Sequence, residues 1–344
     1  MFHLVYLRAD FFHLWAMLKL FVSLFSALIF AASSFALDIT EIENFGSNPG
    51  NLKLYYYKPK NLVDSLKAPV VFVLHGCLQN AESVSELAGW NKLADINGFI
   101  VVYPQQKYTN NTSGCFNWFK KKDITRGSGE VHSIKEMIDY MNGNFNTDSS
   151  RVFVAGLSAG AAMAVALMAC YPEDVNAGAI FAGAPYKVAR NPFEAMFAFW
   201  LPPNKSPEKW AKRVFKQNPD YTGKYPRMVV VHGRKDFVVF IRNGYELVQQ
   251  WAGVHKTDVK PEKKERPFNK NPGITRLSYN DAENKEVVVM YILKDIGHAL
   301  ALNPGDKEDE GGKLGMFGKD VNFHSTWWVA KDFGLIKQPV ISNP

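Results

Sequence analysis

A short apolar strand that runs straight into a glycine-framed serine constrains this chain more than any other feature. Val152-Phe153-Val154 leads into Gly156-Leu157-Ser158-Ala159-Gly160, and Ala161-Ala162-Met163 continues with helical character. A serine at so sharp a strand-to-helix turn tolerates only small residues two positions to either side, because larger side chains would strike the neighbouring strand and helix. The pentapeptide alone recurs in unrelated proteins. The buried strand before it and the helix after it give it meaning, since such a unit belongs in a parallel sheet whose crossovers are helices.

The rest of the chain repeats that unit. Residues 51–58 read as an early strand, and 69–74, 99–103, 151–155, 177–181, 227–231 and 287–293 are apolar runs of the kind buried in a parallel sheet. Helical patterns over 87–96, 133–141, 159–169 and 325–333 punctuate them. The expectation is an α/β-hydrolase fold, with a mostly parallel central sheet, helices on both faces, and a site at the carboxyl ends of the strands. Residues 187–225 break the pattern as a proline-punctuated, aromatic-rich insertion carrying Phe193, Phe197, Phe199, Trp200, Trp210 and Phe215. It reads as a candidate lid with an apolar underside or as helices packing their aromatics onto the body. With 47% hydrophobic and 21% charged residues in 344, one catalytic domain over 37–344 is expected.

The net charge of +7 is scattered apart from Lys120-Lys121-Lys122 and residues 256–270. No aromatic interleaving accompanies these clusters, so both read as solvated loops and no nucleic-acid partner is expected. Residues 20–35 are almost purely apolar, follow Lys19 and end in Ser34-Phe35-Ala36. They read as part of an export signal over residues 1–36, whose cleavage leaves no stable membrane anchor and a secreted or periplasmic enzyme. A start at Met17 would put Met-Leu-Lys directly before the apolar run. Export into an oxidising compartment makes one disulfide expected among Cys77, Cys115 and Cys170. Spacing alone does not pair them. Cys170 ends a run of small and apolar residues on what reads as a buried helix, which makes it the free thiol and leaves Cys77 with Cys115. No metal-ligand spacing occurs, so neither metal nor cofactor is expected, and the acidic stretch 306–310 reads as solvated rather than calcium-binding.

A serine hydroxyl becomes a useful nucleophile only when a base accepts its proton and a carboxylate holds that base in the right tautomer. In this fold the chain order is serine, acid, histidine. Asp236 in His232-Gly233-Arg234-Lys235-Asp236 follows one strand, and His298 in Asp295-Ile296-Gly297-His298-Ala299 follows another. Asp295 is the competing acid, but only three residues from His298 it is poorly placed to reach the far ring nitrogen. Ser158, Asp236 and His298 are therefore the candidate triad. The oxyanion hole is expected from the backbone N–H of Ala159, after the nucleophile, and of Cys77 in His75-Gly76-Cys77, with Leu78 as second choice.

Leu74-His75-Gly76-Cys77, Cys115-Phe116-Asn117-Trp118-Phe119, Arg126-Gly127-Ser128-Gly129-Glu130, Gly156-Leu157-Ser158-Ala159-Gly160 and Ala184-Pro185-Tyr186 together resemble the polyhydroxybutyrate depolymerase family of esterases over about residues 69–298. That family is close to feruloyl and acetylxylan esterases. The resemblance implies an α/β-hydrolase fold, ester cleavage by the same triad, and the Cys77–Cys115 pairing. Phe116, Ala161 and Leu300 depart from the family pattern at positions that shape the pocket. The leading expectation is a secreted esterase of hydroxyalkanoate polymer or oligomers, with Trp118, Phe119 and Trp200 contributing to an apolar substrate cleft. The alternative is a feruloyl or acetylxylan esterase. A noncatalytic binding protein on this scaffold is disfavoured because all three triad residue types are present.

Overall fold

The computed structural model describes residues 39–63 and 65–337. The export-signal reading of residues 1–36 lies outside them.

Six parallel strands form the centre of a ten-stranded sheet. In spatial order they are β4 (Ile100–Gln105), β3 (Ala68–Leu74), β5 (Thr147–Leu157), β6 (Ala177–Phe181), β7 (Arg227–Gly233) and β10 (Glu286–Leu293). Antiparallel strands finish both margins. β2 (Lys53–Tyr57) and β1 (Thr40–Ile42) lie outside β4, while β9 (Ile274–Asn280) and β8 (Lys263–Glu265) lie outside β10. The centre is parallel because helical crossovers return the chain to the same edge, and the margins reverse where tight turns suffice.

Each central strand is buried on both faces, as its unbroken apolar run predicts. In β3, Val70, Phe72 and Leu74 face one core while Val71 and Val73 face the other. The first core is covered by α3 (Gly129–Asn144), α4 (Ala159–Cys170), α6 (Pro207–Phe215) and α7 (Arg242–His255). The second is covered by α1 (Ala81–Ala88), α2 (Trp90–Asn97) and α8 (Ser325–Asp332). Every residue of α4 is buried, which explains its composition of alanine, glycine and short apolar side chains: a helix apolar all round lies inside the protein.

The expected single helix over 87–96 is two helices that share Gly89, at φ 76°. A Cβ there would come within 2.9 Å of the Gly312 nitrogen and 3.0 Å of the His324 ring, so the close approach of the C-terminal segment fixes the break. α7, β8 and β9 were not anticipated. The basic stretch 256–270 contains β8, whose Lys263 and Lys264 are exposed on the last strand of the sheet, where charge discourages pairing with another chain. The acidic stretch 306–310 closes around a lysine. Lys92 Nζ donates to the carbonyl oxygens of Gly305 at 2.7 Å, Lys307 at 2.8 Å and Glu310 at 2.9 Å.

The insertion contains α5 (Pro192–Trp200) and α6. α6 buries Trp210, Ala211 and Val214, and the Trp210 indole N–H donates to Glu246 at 2.7 Å. α5 buries only Ala195 and Ala198 and leaves Phe193, Met196, Phe197 and Trp200 exposed.

Candidate active site

The sheet brings the candidate residues to one edge. Backbone bonds run from Ser158 N to Phe181 O, from Ala182 N to Val231 O and from Arg234 N to Leu293 O, at 2.9, 3.0 and 2.8 Å. They tie together the carboxyl ends of β5, β6, β7 and β10, where loops gather a site in this class of sheet.

Ser158 sits between β5 and α4 at φ 58° and ψ −118°, a conformation that costs a non-glycine residue energy and recurs at functional turns. The flanking glycines make the turn feasible. A Cβ on Gly160 would lie 2.4 Å from the carbonyl oxygens of Leu74 and His75, and one on Gly156 would lie 2.5 Å from Gly160 itself. Ser158 is therefore pressed against the end of β3, and it heads a twelve-residue helix whose first N–H groups favour nearby negative charge.

Asp236 is 3% exposed. Its Oδ1 accepts from the N–H groups of Val238 and Val239 at 2.9 and 2.8 Å, and its Oδ2 pairs with His298 Nδ1 at 2.8 Å. The turn after β7 thus aims one carboxylate oxygen at the imidazole. Gly233 allows the two loops to meet, since a Cβ there would fall 2.3 Å from Ile296 O. Asp295 is engaged elsewhere, 2.7 Å from Lys235 Nζ at the surface. His232 lies inside β7, fully buried, with Nε2 2.8 Å from Val239 O. Among the described residues no hydrogen bond joins Ser158 to His298. Serine and histidine–aspartate pair occupy the same edge as separate groups.

The loop after β3 carries the proposed second oxyanion donor. The Cys77–Cys115 disulfide is present, and Cys170 is a free, buried thiol pushed up to about 12 by its burial. The Leu78 N–H is already given to Ser113 O at 2.9 Å, which removes the second choice and leaves Cys77.

Sequence reasoning missed what stands behind this loop. His75 is fully buried, with Nδ1 2.8 Å from Gly76 O and Nε2 3.1 Å from the Gln106 N–H. Nδ1 therefore donates and Nε2 accepts, and burial pushes the imidazole down to about 4, against the opposing effect of the Gly76 bond. Glu130 is 1% exposed and accepts from Gln106 Nε2 at 2.5 Å, from Asn117 N at 2.7 Å and from Asn117 Nδ2 at 2.5 Å. It holds both ends of the segment that bears Cys115. The motifs containing Asn117 and Glu130 were visible, but their contact was not.

Burial raises Glu130 to about 7, helped by the Asp123 charge and opposed by the Asn117 and Gln106 bonds. The folded state thus keeps a proton that the unfolded chain, near the ordinary 4.5, has released. Ionisation through that window removes stability as pH rises and returns it as pH falls. Glu130→Gln does not titrate. From about pH 8 to about pH 5 the wild type gains on this variant by up to ~3 kcal/mol in urea unfolding; parallel stability curves would count against the assignment.

Trp118 and Phe119 are buried, 5% and 8% exposed, whereas Trp200 is 46% exposed. Trp118 stacks on Phe199 of α5 at 4.9 Å and meets Phe119 edge-on at 5.6 Å. The first two pack beneath α5, and Trp200 at the end of that helix is exposed. Phe237 and Val238, exposed immediately after Asp236, were not singled out from sequence, where no period marks them.

Comparison with known proteins identifies the family. A family model described as esterase PHB depolymerase matches residues 53–257. Poly(3-hydroxyalkanoate) depolymerase C of Paucimonas lemoignei is 37% identical over 315 residues, 91% of this chain and 74% of that protein. Feruloyl esterase B of Neurospora crassa is 30% identical over 279 residues, 79% of this chain and 92% of that protein. Among solved structures, an acetyl xylan esterase from Aspergillus awamori superposes with a TM-score of 0.72 at 25% identity, covering 87% of this chain and 99% of the other. The chain belongs to the PHB depolymerase family of esterases and is a carboxylic ester hydrolase of the α/β-hydrolase fold.

Proposed function

We propose that the protein is a secreted serine esterase that hydrolyses hydroxyalkanoate polyester or its oligomers, with Ser158 as nucleophile, His298 as base and Asp236 as its orienting acid. The His298–Asp236 hydrogen bond beside the strained Ser158 turn carries the mechanism. With Nδ1–H held by Asp236, His298 presents Nε2 to the serine and accepts its proton as Oγ attacks the ester carbonyl. The N–H groups of Cys77 and Ala159 receive the oxyanion. Collapse expels the alcohol, which takes its proton from His298. Water activated by the same nitrogen then releases the acid and restores Ser158. These steps draw on no cofactor.

The observation that favours polyester is the apolar rim of the site. Leu78 beside the oxyanion loop is 68% exposed, Phe237 beside the acid 77%, and Met316 next to Phe317, whose ring meets His298, 84%. On the insertion, α5 exposes Phe193, Phe197 and Trp200 as well. Soluble sugar-linked esters do not call for so much exposed apolar surface, whereas a water-insoluble ester chain does. The similarity to feruloyl and acetyl xylan esterases supports the second reading, a plant-polysaccharide esterase with the same triad. Secretion is supported by the Cys77–Cys115 disulfide, a bond that persists in oxidising compartments.

A substrate panel tests the reading. Release of hydroxybutyrate from its oligomers should exceed release of ferulate or acetate from xylan fragments by about tenfold or more in kcat/KM, a difference of ~1.4 kcal/mol in transition-state binding. The reverse order would assign the enzyme to plant polysaccharide.

A further inference from the structure

A basic cavity of about 760 Å3 lies where the 3-10 turn Lys121–Ile124 faces the insertion. Lys121, Lys187, Arg190, Lys205, Arg213 and Lys216 line it, against a single carboxylate, Glu194. That carboxylate is already taken by Arg190, 3.3 Å away. Among the described residues none of the other five cations forms an ion pair with a carboxylate.

Three of them rest on aromatic rings, Lys205 with its Nζ 6.0 Å from that of Trp210. The Arg213 guanidinium lies over the Trp210 ring at 4.6 Å and donates to Lys187 O. Lys187 Nζ is 5.1 Å from the Tyr186 ring, on a backbone at φ 57°. Burial lowers the Lys187 pKa and the charges of Lys121, Lys216 and Arg213 press it further down; Arg213 is lowered by burial and then by Arg190. Half-buried like charges repel, and an anion among them relieves both desolvation and repulsion. The remaining wall is apolar, with Phe119, Ile124, Val188 and Pro203. Inorganic phosphate would satisfy the cations and leave this wall bare. A carboxylate with an apolar chain uses both.

We propose that this cavity binds the free carboxylate end of a hydroxyalkanoate oligomer, with the chain lying along Phe119. The inference rests on the polyester reading above for the identity of the chain. Phe119 meets Trp118, Trp118 stacks on Phe199, and Phe199 O accepts from Phe240 N on the segment after Asp236. Two ring contacts and one backbone hydrogen bond therefore link the basic cavity to the acid loop. An oligomer with an ionised end would be retained by the enzyme and a chain interior would not.

The test is calorimetric titration of the Ser158→Ala protein with hydroxybutyrate trimer acid, its methyl ester, octanoate and inorganic phosphate. The acid should bind about tenfold or more tightly than the ester, and the Arg213→Gln/Lys216→Gln pair should weaken acid and octanoate about tenfold while leaving the ester unchanged. The same pair, made with Ser158 intact, should hydrolyse p-nitrophenyl acetate at the wild-type rate, which shows that it folds. Equal binding of acid and ester, an unchanged affinity in the double variant, or displacement by an equal concentration of phosphate would each overturn the proposal. Octanoate separates the two readings. If wild type leaves hydroxybutyrate esters intact while octanoate binding still depends on Arg213 and Lys216, the polyester reading fails and the cavity stands as a site for apolar carboxylates. If octanoate ignores the substitutions, the cavity proposal fails whatever the substrate.

Discussion

Replacing Ser158 by alanine is expected to lower kcat on a short-chain p-nitrophenyl ester by about 10⁴ to 10⁶-fold, because no other group can form the acyl-enzyme. What survives is the contribution of binding and of the oxyanion donors, which the substitution leaves in place. The fold should tolerate the change: the Ser158 backbone N–H and C=O, bonded to Phe181 O and Ala162 N, are untouched. The loss should therefore appear in kcat with a melting temperature close to wild type, and covalent labelling by an organophosphate should vanish with it. A variant that kept a tenth of the activity would show that the nucleophile lies elsewhere.

Asp236→Asn is the second large effect, a loss of about 10⁴-fold in kcat near neutral pH. The asparagine side chain has almost the same shape, and its carbonyl oxygen can still accept from the N–H groups of Val238 and Val239 as Oδ1 does now. The cost falls on the other atom. An amide nitrogen opposite His298 Nδ1 donates instead of accepting, which moves the imidazole proton to Nε2 and leaves no lone pair for the serine. Asp295→Asn, by contrast, removes a surface pair with Lys235 and should leave kcat within about twofold. If the two variants exchanged these outcomes, Asp295 would be the acid.

The serine turn was legible because its determinants are contiguous. Glycines, strand and helix all fall within some fifteen residues, and the clash that demands Gly156 is local to the turn, although the one that demands Gly160 comes from the end of β3. The pairing of His298 with Asp236 and not with Asp295 was also legible, since a residue three positions from His298 has little reach back to its ring. Other parts depend on contacts that no local pattern encodes. Glu130 reads only as the end of a family motif ahead of the helix expected over 133–141; its importance comes from Asn117 and Gln106, which reach it from a loop without periodicity. α7 carries glycines at 244 and 253, and the second is required because Pro207 of α6 approaches within 2.2 Å of where its Cβ would stand. A residue chosen for packing between two helices weakened the helical signal of one of them. β8 was concealed by the lysines that keep the sheet margin from pairing further, and β9 by an arginine, a serine and a threonine that interrupt its apolar run.

Lys92 gives the loop of residues 305–310 a property that composition would not suggest. Loops rich in acidic residues and carbonyl oxygens are commonly ordered by a divalent ion, and their shape then follows the ion's supply. Here a covalently attached ammonium occupies the centre of the carbonyl ring. It cannot be stripped by a chelator or diluted away, so the segment that follows the His298 loop keeps its form in hard and soft water alike.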